Sequence, residues 1–119
     1  MFDNAEVLDT YTLADAIRDG ILIDITDTAR EAGLGVAITI TQDAWDDCVA
    51  WTKETENRKG FTGQSQTGRL WDVLTMTRYA AQRTVGTTAT VQLFRVPPRG
   101  RDIEARYTEL HLNIGPGHN

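Results

Sequence analysis

Thr67-Gly68-Arg69-Leu70-Trp71-Asp72-Val73-Leu74-Thr75-Met76-Thr77-Arg78-Tyr79-Ala80-Ala81-Gln82-Arg83 is the longest stretch of this sequence that reads as one helix, with neither Gly nor Pro from Arg69 onward. Leu70, Val73, Leu74, Thr77 and Ala81 recur at the spacing of one helical face, the signature of a stripe packed on a core. Trp71, Met76, Tyr79 and Ala80 carry the apolar surface past that stripe, which predicts a helix covered on more than one side. The chain has 119 residues, the size of one ordinary domain, and such a helix belongs at its centre.

Toward the N-terminus, Thr12 is a good N-cap for Leu13–Asp19, and Gly20 stops that helix. Ile21–Ile25 reads as a short β-branched strand with Asp24 on its solvent side. Asp27 or Thr28 caps little more than one helical turn before Gly33, and Val36–Ile40 is a second strand. Thr41 then caps a helix predicted over Gln42 to Thr55, with Ala44, Cys48 and Trp51 on its buried side. Glu56–Gln66 lacks periodicity and is expected to be a long loop. Toward the C-terminus, Thr84–Thr87 turns the chain. Thr88–Val96 and Arg106–Ile114 then alternate as two strands of a hairpin joined through Pro97–Asp102. The whole chain, residues 1–119, is thus expected to be a single α+β domain, with helices packed on a small mixed, mainly antiparallel sheet.

Composition narrows the class. Single Cys48 cannot form an intrachain disulfide, and no apolar run approaches the ~20 residues of a membrane span. With no signal-like N-terminus either, a cytoplasmic location is the expectation. Net charge −5 conceals an asymmetry. Residues 1–56 hold 13 acids against 3 bases, a balance of −10, and residues 57–119 hold 9 bases against 4 acids, a balance of +5. Folded against each other, the halves partly cancel; left apart, the front half is an acidic face that would steer a basic partner.

Catalytic chemistry finds no persuasive set. Asp24, Asp27 and Glu31 could gather around a cation, but a strand's solvent side and acids at a helix start account for them without one. Cys48, His111 and His118 lack zinc-ligand spacing, and Cys48 on a buried stripe reads as an inert small hydrophobe. Gly33-Leu34-Gly35 and Gly115-Pro116-Gly117 are turns without the context of a phosphate loop. Arg95, Arg99, Arg101 and Arg106 crowd the hairpin end, a weak nucleic-acid signal in a chain of pI ≈ 4.9. No catalytic residue, metal or cofactor is therefore expected, nor direct nucleic-acid binding. Two surfaces stand out for a partner. One is the acidic set Asp15, Asp19, Asp43, Asp46, Asp47 and Glu54; the other is the loop and helix corner Phe61, Arg69, Trp71 and Asp72, where Arg69 and Asp72 are spaced to pair locally.

Several blocks occur together in order: Tyr11-Thr12, Ala14-Asp15-Ala16, Asp19-Gly20, Ala29-Arg30-Glu31-Ala32-Gly33, Val36-Ala37-Ile38-Thr39, Trp45, Cys48 and Trp51, Gly68–Leu74 and Phe94-Arg95-Val96-Pro97. In these the chain resembles a family of short uncharacterised proteins carried by bacterial plasmids, integrative elements and phages. The resemblance implies the setting of a mobile element; with the charge split and the lack of a catalytic set, a non-enzymatic inhibitor of the anti-CRISPR or anti-restriction kind is the expectation. Its partner would be a host protein or nucleoprotein complex with a basic groove. Two alternatives stand beside it: a small-ligand binder or enzyme using the 61–72 corner, and a structural or regulatory homodimer formed through the C-terminal strand as an open sheet edge.

Overall fold

A computed structural model of the chain describes residues 12–81 and 87–117. The end of the central helix at Gln82 and Arg83, most of the turn through Gly86, and His118 lie outside them. Among the described residues the order is α1 (Leu13–Arg18), β1 (Leu22–Asp24), α2 (Thr26–Glu31), β2 (Val36–Thr41), α3 (Gln42–Cys48), α4 (Lys53–Lys59), α5 (Gln66–Ala81), β3 (Thr88–Arg95) and β4 (Arg106–Gly117). The α+β class and the C-terminal hairpin are as expected, and every described strand pairing is antiparallel.

Local chemistry sets most boundaries. Thr12 closes a capping box with Asp15, each side chain accepting the other's backbone N–H at 3.1 Å. For α2 the expected Asp27 or Thr28 cap does not form; Asp24 Oδ1 instead accepts the Thr26 N–H at 2.9 Å, just ahead of the first turn. The helix expected over Gln42–Thr55 is two helices. Thr52 accepts the Thr55 N–H at 3.0 Å and starts α4 afresh, because a good N-cap offers the backbone an alternative to continuing. As α4 runs on to Lys59 and ends at Gly60 in the left-handed region (φ 85°), the long loop shrinks to residues 60–65. Ser65 caps α5: its hydroxyl accepts the Gly68 N–H at 3.0 Å.

The sheet order is β1-β2-β4-β3, so the C-terminal strand is interior rather than an edge. On the inner face Ile38, Ile40, Val91, Leu93, Leu110 and Leu112 pack against Val49, Val73 and Leu74 from the helices. Thr77 is also buried, and its hydroxyl is satisfied by the Val73 carbonyl at 2.7 Å. The other side of α5 is open: Trp71, Met76 and Tyr79 are exposed, correcting the expectation of cover on several sides. A helix beside an outer strand has a core beneath it and, among the described residues, no element beyond it. None of the described helices is long and apolar enough to cross a membrane.

Candidate partner-binding surface

Arg69 rises from the first turns of α5 and is only 3% exposed. It does not pair with Asp72. Its guanidinium donates to the carbonyls of Val49 (3.3 Å), Asp47 (2.9 Å) and Val96 (2.9 Å) and to Gln64 Oε1 (3.2 Å), and its Cζ lies 4.6 Å from the centre of the Trp51 ring. One side chain thus gathers the end of α3, the end of β3 and the 60–65 loop. The fork of N–H donors suits several acceptors at once, which a lysine could not match. Burial draws its pKa below the usual arginine value, yet the group stays charged. The residue spaced to pair with Asp72 is therefore committed mainly to backbone carbonyls.

Trp51 extends this network, its indole N–H donating to Glu56 Oε1 at 3.0 Å. The same carboxylate accepts from Thr62 Oγ1 and from the Gly63 N–H, both at 2.6 Å. These bonds, that of Thr62 first, hold Glu56 below its ordinary pKa of 4.5. A carboxylate depressed in the fold stabilises it above the unfolded value and loses that contribution as pH falls through the folded one. Wild type should therefore exceed Glu56→Gln in melting temperature at neutral pH, and the gap should close as pH drops below 4.5. A gap independent of pH would mean the loop does not depend on this charge. Phe61 follows Gly60 with a positive φ of 64° and is 77% exposed; Trp71 and Asp72 are exposed too, and Asp72 shares the lining of a small pocket with Arg69, Gln64 and Cys48.

The basic end of α4 is likewise committed to backbone. Arg58 donates to the Pro98 and Gly100 carbonyls, and buried Lys59 to those of Arg99 (3.0 Å) and Asp102. Desolvation lowers the Lys59 pKa. Arg95 grips Asp47 through two nitrogens at 2.9–3.1 Å, Arg99 approaches it at 3.7 Å, and Arg106 pairs with Asp102. Of the hairpin arginines Arg95 is thus held in a shielded pair, while the pairs of Arg99 and Arg106 are exposed. Cys48, buried and beside the Asp47 carboxylate, has its pKa raised to about 11, which leaves it a thiol with little nucleophilic character at neutral pH.

The acidic set divides. Asp47 is a structural partner. Asp15 serves the capping box and meets Arg18, which also bonds Asp19. Asp43, Asp46 and Glu54 are exposed and stand in no ion pair among the described residues, although Asp46 accepts from Gln42 at 2.8 Å. The Gln42 N–H donates to the Ile21 carbonyl at 3.0 Å, so the start of α3 and the end of α1 lie side by side, with Asp19 and Asp43 at the same end of the fold. Among the described residues no three His, Cys, Asp or Glu gather as a metal site.

A third surface had no signal in the sequence. An apolar groove of about 430 Å³ runs between α5 and β3, lined by Asp72, Thr75, Met76, Gln92, Leu93, Phe94 and Tyr107. Phe94 and Tyr107 meet edge-on with centroids 5.7 Å apart while both remain exposed. These residues are far apart in sequence, and only the strand order shows that β3 has an open flank.

A family model described as "Family of unknown function (DUF6573)" matches residues 1–119. No curated protein and no solved structure matches the chain.

Proposed function

The chain belongs to the DUF6573 family, and on that premise we propose that it is a non-enzymatic binding protein whose acidic face occupies the basic groove of a nucleic-acid-handling complex. One observation carries the reading. The described ion pairs that join the acidic front half to the basic back half converge on Asp47, leaving Asp43, Asp46 and Glu54 exposed with their charge unopposed. Carboxylates displayed by short helices can stand where phosphates would, and a one-sign surface speeds encounter with a basic groove. The resemblance to proteins of plasmids, integrative elements and phages supplies the setting: a host defence complex kept from its nucleic acid. The commitment of Arg69 to backbone carbonyls counts against a ligand site at the 61–72 corner.

The test is capture from host lysate by wild type and by the triple variant Asp43→Asn, Asp46→Asn, Glu54→Gln. Wild type should retain a nucleic-acid-binding complex less well as salt rises. The triple variant, with unchanged melting temperature, should bind about tenfold more weakly. Retention indifferent to both changes overturns the proposal.

A further inference from the structure

Among the described residues β3 is an outer strand of the sheet, with β1 at the other edge, and its flank is unguarded. The Ile114 N–H donates to the Thr87 carbonyl at 2.7 Å, and the register runs on without a bulge from Thr88↔Asn113 to Arg95↔Arg106. In an antiparallel ladder, directly opposite residues alternate between bonded and non-bonded pairs. Ala89, Val91 and Leu93 therefore bond to β4, while the N–H and C=O groups of Thr88, Thr90, Gln92 and Phe94 point away from the sheet. From Thr88 to Phe94 the strand has no charge, proline or glycine, the usual devices that stop a sheet edge from recruiting another strand.

We infer that this edge pairs with the same edge of a second copy, joining two four-stranded sheets into one. The strand is complementary to itself about Val91. Thr90 then lies opposite the partner copy's Gln92 and Thr88 opposite its Phe94, which places outward-pointing backbone groups face to face. Val91 lies opposite its own copy and Ala89 opposite Leu93, so residues of the apolar face meet residues of the apolar face. A shift by one residue breaks this match. Charge selects the occupant. An edge strand without charge favours neither a basic nor an acidic peptide, whereas two copies of a −5 chain can meet there because α1, with Asp15 and Asp19, packs on β1 at the opposite edge of the sheet. Exposed Met76, on the α5 wall of the groove beside this edge, is placed to be covered in the same step. The pairing is an isologous two-fold contact and presents two acidic faces at opposite ends of one sheet.

Sedimentation equilibrium across a dilution series tests it, with Thr90→Pro and Gln92→Lys beside wild type. Proline at Thr90 removes an N–H that β4 does not use, so the monomer's own ladder stays intact. A lysine at Gln92 places one charge from each copy close to the two-fold axis. Wild type should approach twice the 13.2 kDa chain mass and dissociate on dilution. Thr90→Pro should raise the dissociation constant by about thirtyfold through two lost hydrogen bonds, and Gln92→Lys should raise it too, both with unchanged far-ultraviolet circular dichroism. A 13.2 kDa species at every concentration, or a dimer that neither substitution weakens, overturns the inference.

Discussion

Arg69→Ala is expected to remove about 3–5 kcal/mol of folding stability, a large share of what a domain of this size has when total stabilities run about 5–15 kcal/mol. The size follows from what the side chain holds. Without it the carbonyls of Asp47, Val49 and Val96 lose their donor, the Trp51 face loses its cation, and a large volume in the interior is vacated. Each buried acceptor left unmade costs on the order of 1–3 kcal/mol, and the cavity adds to it. Arg69→Lys should recover only part, since one ammonium cannot reach acceptors spread around a planar fork. Urea unfolding of the three proteins checks this. A loss below about 1 kcal/mol for the alanine variant would show that α3, β3 and the 60–65 loop hold together without it.

Asp47→Ala should be the next most damaging, at about 2–3 kcal/mol, between the values for an exposed ion pair and a fully buried one. Arg95 and Asp47 side chains are 15% and 22% exposed, and the contact is two-pronged. Removing the carboxylate strands a largely dry guanidinium at the end of β3. Asp43→Asn, four residues earlier on the same helix, should change stability by less than about 0.5 kcal/mol because it has solvent around it. The contrast separates a carboxylate that holds the fold from those proposed to meet a partner. Equal effects at the two positions would dissolve that division.

Much of the fold was legible in the chain itself. The Leu70–Val73–Leu74–Thr77 stripe marks the central helix, and three of its members are fully buried. The alternation of Leu110 and Leu112 with Glu109 and His111 marks a strand with one wet face, because side chains on a strand point to opposite sides by covalent geometry. Thr12 and Gly20 were readable as a helix start and a helix stop for the same local reason. The break between α3 and α4 was missed because Trp51 and Cys48 keep helical spacing while the Thr52 cap, a single-residue preference, outweighs it.

What was not legible is where distant groups meet. Arg69 and Asp72 are three residues apart and looked like partners; the fold instead sends the guanidinium to carbonyls 20 and 27 residues away. Asp47 looked like its neighbour Asp46 until Arg95, 48 positions on, arrived to bind it. Short-range hydrogen bonding and hydrophobic period are written in adjacent residues, so the sequence by itself determined most of the elements, the stripe that is buried and the split of charge along the chain. Which carboxylates keep their charge to the solvent, that β4 is interior, and that β3 lies at an edge of the described sheet were decided by tertiary structure alone. Those facts depend on the order in which strands pair, a global arrangement that no local pattern encodes.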